Sequence, residues 1–566
     1  MRIIKSSISS RRLMCFGLIC ALIISCTSCE QDTPAINSAS PADSASNTMD
    51  LMVNGTYTCL ITYAAGDTSS YQNAYKIKAV LEDVTGKDLP LNAYPQEDMW
   101  SDGNGTAEIL VGNTNRSQSP VCTLEWREYA VEIVNDKLFI RGMNEEDYNA
   151  ALSLFRQALE DHFDGSNLRL PGDLLLTGSS VPASGTYNGA YDSTMDYLSR
   201  QSPQAFDVHC QALEKEGCVE YFSNKIGENQ FVTYKKDDIY VHTYYTAYSG
   251  EIRTVYDRTS KIDFLTEEPS YSKVTDTCVT QMVLSYDVDS FGMCYVITLE
   301  DGSFIIIDGG FSLTSEVNGS DVTRLYNVLQ QKNKRPDGKI VIAAWILTHD
   351  HPDHFRVFQS FAEQYADKVE LEQLIFNPQG ETGSNYLSTG IVLEDLAKFG
   401  SGIPLYTPHT GQTFYIRNAH FEVLYTQEDL YPYSAEDNLN NCSLVTRMTV
   451  NGQSIFWSAD LEITASDVLC NMYGDYLKTE IVQMAHHGYL KSGTAEFYTK
   501  VDPSVILWPA MQGNYEHWTD VEPVNQYVLN ELNVKEVIVA DEKTKTLYPP
   551  YTANSGRLIE EDISGK

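Results

Sequence analysis

Two hydrophobic periods alternate along this chain. At Ala74, Ile77, Leu81 and Val84 the apolar positions recur every three or four residues and share one face, which predicts a helix stopped by Gly86. Residues 56–63, 108–111, 129–134 and 138–141 have the composition and spacing of strands, and Asn135-Asp136 between the last two predicts a tight hairpin. A short strand is expected near Leu89, and a last helix capped by Asn144 and running to about Phe163. Residues 51–178 therefore read as a small accessory α/β domain. Residues 179–275 read as a linker, rich in Gly, Ser, Asn and Asp to about position 200, followed by a β-rich segment with antiparallel strands at 239–245 and 252–256. His242 is expected there as an ordinary sheet histidine.

From Met282 the runs become longer and more apolar. Residues 295–299 and 304–307 flank an Asp-Gly turn at Asp301-Gly302, and the second run ends in Asp308-Gly309-Gly310. A helix is expected at 322–332, then a strand buried on both faces at 340–347 (IVIAAWIL), then a helix at 356–365. Two further apolar runs, 455–459 and 481–485, each end against a metal-ligating residue type, Asp460 and His486. Residues 276–566 are taken as one domain.

The buried strand leads into His349-Asp350-His351-Pro352-Asp353-His354. This loop gathers three of the 11 histidines of a 566-residue chain, with two carboxylates, at a point where a strand holds them rigidly. With it, IIIDGG (305–310), NNCSLV (440–445), WSAD (457–460) and AHHG (485–488) follow in an order that resembles the metallo-β-lactamase-fold hydrolase superfamily. The NN-S-LV and HHG elements are most similar to the hydrolase domain of bacterial competence DNA-uptake proteins and to secreted phosphorylcholine esterases. The resemblance implies an α+β protein whose C-terminal part is a four-layer αββα sandwich, with metals at one edge of its two sheets. AEILVGNTNR (107–116) and LFIRG (138–142) resemble the small α/β domain that precedes the barrel in several secreted glycoside hydrolases, which implies a sugar-rich setting.

The chemistry of the residues gives the same site. His349 and His351, two apart, can grip one ion while Asp353 and His354 turn to a second. Asp460 can bridge both, and His486 would complete the second site, leaving His487 to give a hydrogen bond or proton to the leaving group; the opposite assignment of this pair stays open. Asp353 and His487 are thus the catalytic candidates. Asp308 is expected to orient a ligand histidine or to cap its turn. Imidazole with carboxylate suits two zinc ions best, and manganese or iron would fit the same donors. Many members of the superfamily add a third histidine to the first site. Here only His409 and His420 lie in the interval, neither in the expected context, so Asn441, Ser443 or water is expected to complete it. Tyr489 and Lys491 follow within reach of the same edge and could contact an anionic group, or belong to a solvated loop, and His517 is either a pocket-lining or a surface histidine.

Composition sets the address. Arg2, Lys5, Arg11 and Arg12 precede an apolar stretch at 13–24, too short for a permanent span, and Ser25-Cys26 resembles a lipoprotein cleavage box. The expectation is a signal peptide at 1–25, with ordinary cleavage within 25–28 as the alternative. Lipidation at Cys26 and a flexible tether at 26–50 would hold the body on the extracellular face of a bacterial membrane. Losing residues 1–25 takes the formal charge from −37 to −41. So acidic a body repels polyanions, which argues against nucleic acid as partner and against a nuclease. The nine cysteines after Cys26 are scattered without CxxC spacing and form neither a disulfide framework nor a thiolate metal site. The expected function is a surface-tethered, metal-dependent hydrolase of phosphoester bonds in small molecules or cell-surface glycans. The alternatives are a carboxylic ester or lactone hydrolase, and a glycan-binding lipoprotein whose metal is structural.

Overall fold

The computed structural model describes residues 48–566 apart from 91–93, 100–106, 125–126, 143–144, 180, 189–192, 285–291, 316–318, 378–388, 433–438 and 553–556. The signal, Cys26, most of the tether and the Asn144 cap lie outside the described residues. The chain divides after Gly178 into two compact units, with residues 125–127 assigned to the second.

In the first unit a mixed sheet runs in the order Gln96–Glu97, Cys59–Tyr63, Ala107–Val111, Lys137–Gly142, Glu128–Val134, Leu175–Ser179. The helices Thr68–Thr85 and Glu145–His162 lay Ala74, Ile77, Leu81, Ala151, Phe155 and Leu159 on Ile61, Ile109, Val131 and Ile140. Gly86 ends the first helix at φ +66°, and Asn135 and Asp136 make the hairpin turn at φ +50° and +62°. The strand read at 56–63 is broken: Thr56–Tyr57 belongs to a separate small sheet with Thr48–Val53 and Leu168–Pro171. Leu89 is buried but not in a strand, because its N–H donates to the Glu82 carboxylate (2.8 Å) instead of to a neighbouring chain.

The second unit corrects the linker reading. Ser184–Asn188 and Thr194–Leu198 are paired strands that continue a six-stranded antiparallel sheet through Glu251–Asp257, Ile239–Thr246, Asn229–Lys236 and Val219–Ile226. Their loop-like composition hides a period of two: Met195 and Tyr197 point inward between more exposed neighbours. The helix Pro203–Lys215 was not expected either; Ser202 caps it by accepting from the Ala205 N–H, and Phe206 and Leu213 anchor it.

The rest of this unit is the four-layer sandwich. One sheet orders Leu405–Tyr406, Leu374–Phe376, Val341–Leu347, Phe304–Asp308, Cys294–Thr298, Cys278–Gln281, Thr544–Leu547 and Leu558–Glu561. The other orders Thr413–Ile416, Ala419–Tyr425, Val445–Val450, Gln453–Trp457, Ile481–Gln483, Val505–Trp508 and Glu536–Val539. Alternation along each strand builds the layers. Ile305, Ile307 and Ile346 meet Val423, Ile455, Ile481 and Leu507 between the sheets. Ile306, Trp345 and Leu347 face outward onto Val322, Phe355, Phe358 and Phe361 of the helices Asp321–Lys332 and Pro352–Gln364. Phe456, Val482 and Ile506 face the helices Ile463–Tyr473 and Ala495–Val501 on the far side. Each such apolar side chain contributes about 1.5–3 kcal/mol when fully buried, which explains why a strand like Val341–Leu347, buried at every position, carries almost no polar residue. The eight described cysteines from Cys59 to Cys470 are all free, and no helix among the described residues is long and apolar enough to cross a membrane.

Candidate metal centre

Four strand ends deliver the site. Phe304–Asp308 and Val341–Leu347 run parallel with Ile307 beside Ile346, so Asp308 and Thr348 leave the sheet together. Asp308, fully buried at φ +55°, accepts the Thr348 N–H at 2.8 Å and the Thr348 hydroxyl at 2.7 Å. Its Oδ2 also lies 2.7 Å from His354 Nδ1. A proton on Nδ1 satisfies that contact and turns the His354 Nε2 lone pair toward the other ligands. The helix expected to begin near residue 356 begins at Pro352, with His351 as N-cap. Proline at the first helical position and an acid in the first turn both suit a helix start. Asp353 and His354 are thereby helical, not loop, residues.

The second sheet supplies the remaining ligands. Gln453–Trp457 leads to Asp460, whose N–H donates to Ser443 Oγ at 3.2 Å. Ile481–Gln483 leads into a turn where His486 and His487 both take left-handed backbone angles, φ +45° and +55°. Gly488 follows at φ +75°, and a Cβ there would stand 2.3 Å from the Trp508 ring, so only glycine fits. Trp508 Nε1–H donates to the His487 carbonyl at 2.8 Å and fixes the turn. His487 Nε2 then lies 3.1 Å from Asp460 Oδ2, 3.3 Å from His354 Nε2 and 3.7 Å from Asp353 Oδ2. The ligand atoms of Asp353, His354, Asp460 and His487 lie within 4.8 Å of one another, and those of His349, His351 and Asp460 do so as well. Asp460 is common to both groups.

These residues fit divalent cations. His349 Nε2 and Asp460 Oδ1 are buried without a hydrogen-bond partner, an arrangement that costs about 1–3 kcal/mol per group unless something satisfies it. Two imidazole nitrogens also converge on a single oxygen, Asp460 Oδ2. Imidazole and carboxylate together are the donor set of zinc and related ions. Without an ion, burial and the neighbouring His354 hold His349 well below the usual histidine range, and burial lowers His351. Burial acts against the charged forms of His354 and Asp460 too, yet their attraction wins: the carboxylates of Asp460, Asp308 and Asp353 hold His354 high, and His354 and His487 hold Asp460 low.

The order of the histidine pair is the reverse of the favoured sequence reading. His487, not His486, stands among the ligand atoms, because the left-handed turn swings its ring inward. His486 sits at the rim, half-buried, with Nδ1 2.9 Å from the Leu490 carbonyl and Nε2 3.3 Å from Asn440 Nδ2. Asn441 is held by the neighbouring helix start: its Oδ1 accepts the Ala465 N–H in the first turn of Ile463–Tyr473, and its Nδ2 faces Glu462. Ser443 acts on Asp460 through the backbone. His409 is locked between Glu428 Oε1 (3.0 Å) and Asp257 Oδ2 (3.3 Å), and His420 lies in a strand against Tyr415. His242 is a buried sheet residue between Thr233 Oγ1 and the Thr410 carbonyl. Tyr489 meets His486 and Trp518 edge to face, while Lys491 and His517 are exposed. Sequence reasoning missed Thr348, whose hydroxyl contacts both Asp308 and His349 Nδ1 (3.1 Å); its place directly before the histidine loop was the available signal.

Residues 288–419 match the Metallo-beta-lactamase superfamily. Asp308 and the 349–354 cluster fall inside this stretch, whereas Asp460 and His487 lie beyond it. Among solved structures the chain is similar to the metallo-β-lactamase fold protein YhfI from Bacillus subtilis, with 11% identity over 47% of this chain and 97% of that one and a TM-score of 0.28. It is also similar to CmlA, a diiron β-hydroxylase from Streptomyces venezuelae, with 12% identity over 50% of this chain and 55% of that one and a TM-score of 0.30. No curated protein matches it. The second unit of this chain thus contains a metallo-β-lactamase superfamily domain, matched over residues 288–419.

Proposed function

We propose that this chain is a metal-dependent hydrolase that cleaves phosphoester bonds, phosphodiesters first, in small molecules or cell-surface glycans while tethered through Cys26 to the outer face of a bacterial membrane. The observation that carries the hydrolase reading is the sharing of Asp460 between His349 and His351 on one side and Asp353, His354 and His487 on the other, with buried donor atoms left unmatched. These six residues would hold two divalent ions, zinc by preference. Such ions when bound supply Lewis acidity and bring the pKa of water from 15.7 to about 7.

The chain's own residues do the rest. Asp308 fixes the orientation of His354 and Ser443 that of the Asp460 backbone, so the ligand set is preorganised. His486 borders the rim with Nδ1 toward the Leu490 carbonyl and Nε2 toward Asn440 Nδ2, so this pair lines the side on which a leaving group departs. The preference for phosphoesters is supported by the NNCSLV and AHHG elements, and the negative formal charge argues for small or neutral carriers over nucleic acid.

The test is turnover of bis-p-nitrophenyl phosphate by purified residues 27–566 loaded with zinc or manganese. The reading requires that Asp353→Ala and Asp460→Ala lose turnover while the circular dichroism spectrum is kept. A fully loaded protein inert toward phosphodiesters but active on lactones or carboxylic esters would move the substrate class. One inert toward all three would leave a binding protein with a structural metal.

A further inference from the structure

We propose that the first unit carries a glycan-binding platform, the rings of Tyr71 and Tyr75 with Tyr63 and Tyr94 beside them, that holds neutral oligosaccharide chains. It is built from residues of that unit alone, so it stands independently of what the metal centre hydrolyses.

One helix flank and one strand end build the platform. Ala74, Ile77 and Leu81 turn the helix Thr68–Thr85 onto the sheet, which leaves Tyr71, Tyr75, Lys78 and Glu82 in a row along its flank. Tyr71 and Tyr75 are 44% and 39% exposed, and their ring centroids lie 4.8 Å apart. Tyr63, the last residue of Cys59–Tyr63, meets Tyr71 edge to face at 5.5 Å. Lys78 Nζ stands 4.6 Å from the centroid of the Tyr94 ring and pairs with Glu82 at 2.7 Å. Among the described residues Tyr476 is the one other tyrosine this open to solvent, so two of the three exposed tyrosines touch each other here. The hydrophobic core already has its own apolar residues on the opposite face of the helix, and a cluster of rings left in water marks a binding surface.

Chemistry, charge and size together select the occupant. A sugar ring presents a face of C–H groups and a rim of hydroxyls, and a tyrosine presents an apolar face with one polar end, so the two match on both counts. The charges around the rings favour an uncharged chain. Glu97 lies opposite Tyr63 in the parallel strand pair, Asp67 caps the helix one turn before Tyr71, and Lys78 is already matched by Glu82. Carboxylates accept hydroxyl groups and repel phosphate or uronate. The same charges oppose a bilayer surface, where an aromatic patch works with Lys and Arg. The four rings also expose roughly 300 Å² at most, far below the ~800 Å² per partner of a standard protein interface.

Affinity electrophoresis of zinc-loaded residues 27–566 through gels containing β-glucan, xylan, galactomannan or glycol chitin tests this, with calorimetry on the matching hexasaccharides. At least one neutral polymer should retard the protein. Tyr71→Ala and Tyr75→Ala should each weaken binding about 2- to 10-fold, the worth of one aromatic contact, and the double variant more than either. Tyr71→Phe, which keeps the ring, should retain most of the affinity. Both positions are exposed, so these variants should keep the native melting temperature, zinc content and turnover. Polygalacturonate and phosphatidylglycerol–phosphatidylethanolamine vesicles are the controls, and neither should bind. Failure of every neutral polymer to retard the native protein, or equal retardation of the double variant, overturns the proposal. Binding to the vesicles alone would overturn it as well and make the patch a membrane contact, and equal binding to polygalacturonate would refute the selection of neutral chains.

Discussion

The second unit contains two buried clusters of histidine and carboxylate, and they differ in what their atoms lack. Around His354, imidazole Nε2 atoms meet each other and one Asp460 oxygen, and His349 Nε2 and Asp460 Oδ1 find no hydrogen-bond partner. Around His409, Nδ1 meets Glu428, Nε2 meets Asp257, and the ring lies flat on His242 with centroids 5.3 Å apart. Asp257 also accepts from the N–H groups of Thr259 and Ser260, and Glu428 from Asn377 Nδ2, leaving Glu428 Oε2 as the one unpaired atom. An imidazole with both nitrogens on oxygen has no lone pair to offer a cation. The first cluster is built to take an ion, and the second is a clamp between the strand Glu251–Asp257 and the turn at 427–430. Burial and shifted pKa values are common to both; unmatched nitrogen donors are not.

The largest effects should separate the two clusters by kind. Asp460→Asn removes the shared carboxylate, so loaded protein should lose at least about 10³-fold in turnover, the several kcal/mol that metal ions supply to a transition state; metal-free protein should also melt lower, because buried His354 loses a carboxylate partner. Asp257→Asn should spare turnover. It strips the clamp of one carboxylate and should cost about 3–5 kcal/mol of stability, while turnover per folded molecule stays near the native value. Urea denaturation beside steady-state kinetics on both variants checks the pair, and a destabilised but fully active Asp460→Asn would reverse the assignment of roles.

A smaller effect is expected behind the ligands. Asp308→Asn keeps the shape but weakens the hold on His354, and zinc affinity should fall about 10–100-fold. Competition with a chelator reads this out, and unchanged affinity would reduce Asp308 to a turn residue that binds Thr348.

How much of this was legible in the sequence follows from how local each feature is. The 349–354 cluster and Asp308 could be read because each sits at the end of one apolar strand, and a strand's direction fixes where its last residue points. The order of His486 and His487 could not, since both take left-handed angles, and which of two adjacent rings turns inward depends on Trp508, twenty-one residues on. The role of His409 was hidden for the same reason on a larger scale, because Asp257 lies 152 positions away. The contact of Asn441 with the start of Ile463–Tyr473 was hidden because its partner, Ala465, lies 24 positions on. The strands at 184–188 and 194–198 were masked by small polar residues, which pair through their backbones as well as any others.

The clamp also predicts how stability depends on pH. Burial alone would lower His409, but Glu428 and Asp257 outweigh it and raise the group to about 9. In the unfolded chain it returns to about 6.5. Below 6.5 both states bind the proton and the full contribution of the clamp is present. Between 6.5 and 9 only the folded state holds it, so stability must fall as pH rises through this window, by at most about 1.4 kcal/mol per pH unit. His242, stacked on His409, is held low by burial and by that charge, so it stays neutral across the same range and adds no opposing slope. Metal-free protein should therefore melt at progressively lower temperature from pH 6.5 to 9. His409→Gln, already less stable, should show a flatter profile over this interval. If the two profiles run parallel, the proton is not held between Asp257 and Glu428, and the contrast between a charged clamp and an ion site loses its electrostatic half.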